Sequence, residues 1–536
     1  MLKKTQHFNI LILTLYLCAT LTYANEKLLT KTTCKSQEIT FNINTIFDEN
    51  EPDTIFIHRW ANKLHIDTKL ITIENEAAFF IEKCNKTEDD LAELERHLRA
   101  KGYIRSAKVT SDKSLEKITV KTWDNWSLLP TMSFGRKGNV NTYSLGIKDS
   151  NLLGLGVDAE IESYKNDQRK GYKVKASIPL FQKNNNELKI GFADNDDGEE
   201  KALFLNKSFA SFHSYNAYAI GFDESMKNDT IFQNNGTQSI FGHETSYKII
   251  NYAWLGRNSD DYTIRYNVGL NQDYHRFHHR DPSGTQTGTL VLPEDREYLY
   301  PWVGINYIEK DFKKLTNIHL ISQIEDFNHG LRISSTLGLG QDETRKDQLA
   351  LFSIDVNKGY ELHNDGLLLL EASIDSDVFI DSSDRVLVEL SGEYFYTIND
   401  SLGFYFNNSN VYSKNQYTDR PVTMGGDKRL RGYPLQYQHG TKSIRFNSEL
   451  RYYPEFNILK LFEVAGVAFF DTGKAFGAKS ANNIEDGWLQ SVGLGLRFFS
   501  PHAGKNSVIH LDFAFPQSNN PDIDSFAIRV EAKKAF

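Results

Sequence analysis

"SVIHLDFAFP", residues 507–516, alternates without a break. Ile509, Leu511, Phe513 and Phe515 fall on one side of an extended chain, and Val508, His510, Asp512 and Ala514 on the other. Successive side chains of a strand point to opposite faces, so this stretch reads as a strand with one apolar and one mixed face. "SVGLGLRFF" (491–499) repeats the pattern, setting Val492, Leu494, Leu496 and Phe498 against Gly493, Gly495 and Arg497. Such faces suit lipid on one side and a wet lumen on the other.

The chain ends "FAIRVEAKKAF". Phe526, Ile528, Val530, Ala532 and the terminal Phe536 share a face opposite Arg529, Glu531 and Lys533, and Lys534 is long enough to snorkel. Working back towards residue 126, similar segments of about ten residues alternate between turn signals. Counting turns gives about twenty strands, an even number that returns both ends of a barrel to one side. After the first 24 residues no apolar run reaches the ~20 residues a membrane helix needs. A spanning chain of this kind has to close as a β-barrel, because only closure satisfies every backbone polar group in hydrocarbon.

Composition agrees: 26 tyrosines, 35 phenylalanines and 35 glycines against 12 prolines favour strands and turns. Lys3 and Lys4, the apolar run from Phe8 to Leu21 and the small site Thr22-Tyr23-Ala24 predict a signal peptide over 1–24. The large Leu17 before Cys18 argues against a lipoprotein. The net charge of −9 becomes more negative when Lys3 and Lys4 are removed, so nothing points to nucleic acid. Cys34 and Cys84 are the candidate disulfide pair of an exported protein, the alternative being two free thiols.

Residues 25–125 form a different zone. "ITFNINTIF" (39–47) alternates as a strand, and "IFIHRWANKLHI" (55–66) is compatible with a helix. "KTEDDLAELERHLRAKGY" starts a helix at Thr87, places Leu91, Leu94 and Leu98 on one face and stops at Gly102. "SAKVT" (106–110) and "EKITVKTW" (116–123) are two further strands. The order strand, helix, helix, strand, strand makes one small α/β domain. Trp123 and Trp126 follow as candidate interfacial anchors at the barrel boundary.

One loop stands out. "GGDKRLRGYPLQYQHG" (425–440) packs Lys428, Arg429 and Arg431 among backbone breakers. Leu430-Arg431-Gly432-Tyr433 resembles the loop signature of the BamA-type superfamily of outer-membrane barrels. "FNSELRYYP", with Glu449 and Arg451, and "FFDTG", with Phe469, Asp471 and Gly473, resemble its companion motifs. "YSLGIKDSNLLGLG" (143–156) and "WDNWSLLPTMSFG" resemble the first hairpin and barrel entry. The resemblance implies a loop folded back into the lumen, with Arg431 held by Asp471 and Glu449. It implies that residues 25–125 are a single POTRA domain in the periplasm. It implies an assembly signal at the last strand through Phe526, Ile528, Val530 and Phe536, in the outer membrane of a Gram-negative bacterium. It also implies sixteen strands over 126–536, fewer than the turn count, and the reading leans towards sixteen.

No Gly-x-Ser-x-Gly elbow, His-Glu-x-x-His or phosphate loop is present, so the expectation is no enzyme and no cofactor. "HRFHHRD", with His275, His278 and His279, and the acidic "DNDDGEE" (194–200) read as solvated loops rather than metal sites. Two functions remain. The first is assembly, insertion or translocation of unfolded outer-membrane or secreted polypeptides, captured by POTRA strand pairing and passed through the lumen or a seam between "SLLPTMSF" and the last strand. The second is a passive outer-membrane channel or surface antigen without a polypeptide client. The lipid bilayer is a partner in both, and the sequence names no partner protein.

Overall fold

The computed structural model describes residues 37–49, 54–137, 140–166, 168–181, 185–233, 238–279, 292–363, 365–454, 456–478, 480–503, 507–521 and 523–534. The predicted signal peptide, Cys34 and Phe536 lie outside the described residues, whereas Cys84 is disulfide-bonded.

The N-terminal unit has strands β1 (Glu38–Asn44), β2 (Ile104–Ser111) and β3 (Lys117–Asp124) in the order β1-β3-β2, with β1 parallel and β2 antiparallel to β3. Its helices are α1 (Phe56–Leu64), α2 (Leu70–Glu76), α3 (Ala78–Ile81) and α4 (Glu88–Arg99). Thr87 caps α4 reciprocally: its Oγ1 accepts from the Asp90 amide at 3.4 Å, and its own amide donates to Asp90 Oδ2 at 2.8 Å. Leu91, Leu94 and Leu98 then bury one face against Val109, Ile118 and Val120. Helices α2 and α3 escape a sequence reading because seven and four residues are too few to display a helical period.

From Leu128 to Lys534 the chain closes an antiparallel barrel of twenty strands among the described residues. The sixteen strands expected from the resemblance are therefore corrected, and the turn count is the better guide. The alternation read at 507–516 explains the wall: Val508, Asp512 and Ala514 are buried inward, whereas Ile509 and Phe515 are exposed outward. Leu145, Ile161, Val303, Leu339 and Leu494 extend that exposed apolar face around the barrel. Lipid is the medium in which such a face is stable. No helix among the described residues is long and apolar enough to cross a membrane.

The barrel closes weakly. Among the described residues, its first strand (Leu128–Lys137) and last strand (Ala527–Lys534) pair at Gly135 with Arg529 and at Phe134 with Val530. Each has a full antiparallel ladder with its other neighbour, from Leu128 opposite Asp149 to Lys137 opposite Val140, and from Ser507 opposite Lys534 to Ala514 opposite Ala527. Phe526 and Ile528 face outward beside this seam.

Two further expectations change. The histidine cluster lies on a strand, Tyr262–His279, rather than in a loop. His275 is buried and meets His243 Nε2 through Nδ1 at 2.9 Å, His278 is exposed on the opposite face, and His279, on the face of His275, is exposed where the strand ends. Residues 312–328, counted within the barrel, do not join the wall. Phe312–Thr316 and Ile324–Asn328 form a separate antiparallel hairpin at the barrel end that carries the α/β unit.

The α/β unit is docked on that end. The turn Asn151–Gly156 inserts into it, with the Gly154 carbonyl accepting from the Lys69 amide at 2.8 Å and from Thr72 Oγ1 at 2.8 Å. Across the lumen-side rim, His502 lies against Phe47 at 4.3 Å between ring centroids and within 3.0 Å of Arg105 Nη1. Burial, the Arg105 charge and His58 push the His502 imidazole from the usual 6.5 down to about 3. The docked state thus binds fewer protons than the undocked one, so docking is unaffected above about pH 6.5 and weakens as pH falls towards 3. The expected loss is about 1 to 2 kcal/mol at pH 5. Limited proteolysis of the unit between pH 7 and pH 5 should show faster cleavage at the acid end, and His502→Gln should flatten that dependence.

Candidate functional site: a pinned loop and a hairpin inside the barrel

The motif residues converge because they sit on strands with a two-residue period. Phe469, Asp471 and Gly473 lie on the strand Phe462–Phe476, every second residue, and all three face inward. Glu449 and Arg451 do the same on Lys442–Tyr452. The loop between Leu402–Lys414 and Lys442–Tyr452 starts at the far barrel end and folds back into the lumen. It is stiffened by a small ladder pairing Val422–Met424 with Gln438–Gly440.

Arg431 is the pin. Its guanidinium donates from Nε to Asp471 Oδ2 at 2.6 Å and from Nη2 to Asp471 Oδ1 at 2.7 Å, a bidentate fork. Its Nη1 reaches Glu449 Oε1 at 3.2 Å and Asp512 Oδ2 at 3.6 Å, and its carbon lies 3.4 Å from the centre of the Phe469 ring. Arg497 and Arg451 complete the network, pairing with Asp512 at 2.7 Å and Glu449 at 3.0 Å. Three arginines therefore face three carboxylates, which is how charges persist in a site where Arg431 is only 6 % exposed.

The rest of the tip is held by shape. Leu430 and Tyr433 are buried with Met424, Ala475 and Leu489, and Tyr433 Oη donates to the Gln490 carbonyl at 3.0 Å. Gly432 has φ +90°, and a Cβ there would come within 2.9 Å of Pro516. Gly473 lets Met424 approach, since a Cβ would meet its sulfur at 2.8 Å. The loop also crosses to the opposite wall, where Gln436 Oε1 accepts from the Phe232 amide at 3.0 Å. Lys428 and Arg429, to which the sequence assigned no role, contribute backbone carbonyls: these accept from Arg445 Nη1 at 2.8 Å and Asn447 Nδ2 at 3.0 Å.

The hairpin Phe312–Asn328 enters from the other end. At its tip Glu325 accepts from the amides of Ile318 and His319 at 3.0 and 3.1 Å, and Asn317 Oδ1 from that of Ser322 at 2.7 Å. The turn is compact. Ile318 packs on Leu367, Phe395 and Tyr405, while Leu320 and Ile321 pack on Ala465, Phe499 and Val508, a few strands further round the wall. The Ile318 carbonyl accepts from Arg451 Nη1 at 2.9 Å. Hairpin and loop thus share one charge network, and the space left between them is a cavity of about 120 Å³ lined by Ile318, Leu320, Arg429, Arg431, Glu449 and Arg451. Sequence reasoning missed the hairpin because its strands, Phe312–Thr316 and Ile324–Asn328, are five residues each, too short for a period to tell a lumen strand from a wall strand.

No family model matches the sequence, and no curated protein matches it. Among solved structures the chain is similar to BamA from Haemophilus ducreyi lacking POTRA domains 1-3, at 11% identity over 94% of this chain and 85% of that one, with a TM-score of 0.37. It is also similar to CdiB from Escherichia coli, at 12% identity, 94% and 77% coverage and a TM-score of 0.47. CdiB from Acinetobacter baumannii gives 10% identity, 93% and 74% coverage and a TM-score of 0.43.

Proposed function

We propose that this chain is an outer-membrane barrel that inserts or translocates unfolded polypeptides, with residues 25–125 acting as a POTRA domain in the periplasm. The observation that carries this reading is the buried pin, in which the Leu-Arg-Gly-Tyr tip is held on Phe-x-Asp-x-Gly by Arg431, Asp471 and Glu449. A diffusion pore gains nothing from a lumen crossed by an ion-paired loop and a hairpin. A machine that changes state does, because such contacts give it a closed form. The short seam between first and last strands supports the same reading, since few backbone bonds need break for a client strand to pair there. The work is non-covalent strand pairing, with neither a catalytic step nor a cofactor.

The test is in-cell photocrosslinking from Lys108 and Thr110 on β2 and from Ile528 at the seam. Capture of nascent outer-membrane or secreted chains at both places is the expected result. Capture of nothing, together with steady ion conductance of the purified barrel, would replace this reading with a passive channel or surface antigen.

A further inference from the structure

Lys314 and Asp326 are direct cross-strand partners at the base of the hairpin. Both reach α4. Lys314 Nζ lies 2.9 Å from Glu95 Oε1, and Asp326 takes the Arg99 guanidinium on both oxygens, at 2.9 Å from Nε and 2.8 Å from Nη2. Glu95 and Arg99 are one helical turn apart and also pair with each other. Arg96, between them, lies over the Phe312 ring at 4.2 Å.

The same two side chains have a second occupation. β2 is an edge of the three-stranded sheet. Its outward backbone groups would otherwise be open to another strand, yet the Val109 amide donates to Glu95 Oε2 at 3.2 Å and the Ala107 carbonyl accepts from Arg99 Nη1 at 3.4 Å. Glu95 and Arg99 therefore cap the sheet edge with one part of their donor and acceptor set and hold the hairpin with the other.

We infer that Glu95 and Arg99 form a latch that couples the edge of β2 to the hairpin inside the barrel. An extended polypeptide pairing with β2 needs the Ala107 carbonyl and the Val109 amide for its own ladder. It displaces Glu95 and Arg99 from them, and the side chains cannot move without disturbing Lys314 and Asp326. The hairpin then keeps its apolar tip, Arg451, the contact of His319 with Glu393 at 3.3 Å and the Tyr453 hydroxyl on the Asn317 carbonyl but loses its two ion pairs to α4, and it withdraws towards the domain end. Withdrawal removes the Ile318 carbonyl from Arg451 and so reaches the charge network that pins the loop. The partner is an extended segment with free backbone groups; its side chains are not read by this contact. The inference rests on the proposed function for the nature of that partner, but the latch itself is a property of the chain.

The experiment uses the full chain in planar bilayers and in hydrogen exchange. The probe is a synthetic copy of residues 525–536, an outer-membrane-type strand. Glu95→Gln with Arg99→Gln should raise the open fraction about tenfold, the change expected from weakening the closed state by ~1.4 kcal/mol. The variant should lose protection at residues 318–321 while the wall strands keep theirs, which separates release from misfolding. The peptide should do the same to the unaltered chain and add little to the variant. If excising residues 313–327 opens the barrel but neither the variant nor the peptide does, the latch is overturned and the proposed function is untouched. If the variant opens the barrel but the peptide neither binds nor opens it, pairing at β2 is overturned as the trigger. Failure to capture clients in cells, with latch and peptide responses intact, would instead remove the proposed function.

Discussion

Replacing Arg431 by alanine is expected to free residues 425–440 while leaving the barrel wall closed. The substitution removes the guanidinium that joins Asp471 to Glu449 and Asp512, leaving Arg497 on the latter two, and leaves these carboxylates buried with less positive charge around them. Removing one partner of a buried pair costs about 3 to 5 kcal/mol, because the remaining charge is uncompensated. Near the tip, Tyr433 on Gln490 and Gln438 on the carbonyls of Glu485 and Gly487 are neutral hydrogen bonds worth about 1 kcal/mol each, Arg445 on the Lys428 carbonyl is a single charge-assisted bond, and the ion pair of Arg296 with Asp419 holds the loop outside residues 425–440. Hydrogen exchange at Leu430 to Tyr433 should therefore accelerate by two orders of magnitude or more, with the strands Lys442–Tyr452 and Phe462–Phe476 unchanged. Arg431→Lys should recover only part of the protection, since an ammonium restores charge but not the bidentate fork or the flat contact with Phe469. Equal protection in all three proteins would show that the pin is not what holds the loop.

The second large effect is expected from Leu320→Asp combined with Ile321→Asp. Both positions are buried against Ala465, Phe499 and Val508. Two carboxylates there would forfeit that apolar contact and be desolvated beside a cavity whose arginines Arg431, Arg451 and Arg497 are already paired with Asp471, Glu449 and Asp512, at a cost of several kcal/mol. The hairpin base does not depend on the tip, because Lys314 and Asp326 are held from outside the lumen by Glu95 and Arg99. The tip should swing out and the barrel should conduct, a change visible as new long-lived current levels in a planar bilayer. Leu320→Met with Ile321→Leu, which keeps volume and polarity, should stay closed. A silent aspartate variant would mean that the pinned loop alone closes the lumen.

How much of this was legible in the sequence follows from where the signals are periodic. The wall was readable because lipid and lumen impose opposite demands on alternate residues, and "SVIHLDFAFP" obeys them over ten positions. The site residues were readable as a set through the spacing in "FFDTG" and "FNSELRYYP", which puts Asp471 and Glu449 on the inner face; the distances were not. Strand number failed where the resemblance was preferred to the chain's own turns. The hairpin was illegible for a different reason. Its two strands are five residues each, with Phe312 and Leu315, and Ile324 and Phe327, three apart, and so short a pattern records some burial without recording what does the burying. Its one external clue, the Lys314 and Asp326 pair, acquires meaning only beside Glu95 and Arg99, more than two hundred positions earlier. Helix α4 gave up its leucine face readily, yet its polar face, which does the coupling, looked like an ordinary solvated surface.

The twenty-strand wall has a geometric consequence that ties the two inward elements together. Barrel diameter grows roughly in proportion to strand number, so the area to be sealed grows as its square, about 1.6 times that of a sixteen-strand ring. The loop from the far end meets this area with two sets of contacts: its tip is pinned over the strands between Lys442 and Pro516, while Gln436 reaches Phe232 and Tyr417 reaches Asp377 elsewhere on the circumference. Beside that pinned tip, Leu367, Phe395 and Tyr405 are covered from the domain end by Ile318. The larger ring is thus closed from both ends, by a loop that crosses it and by a hairpin whose tip fills the space beside the pin.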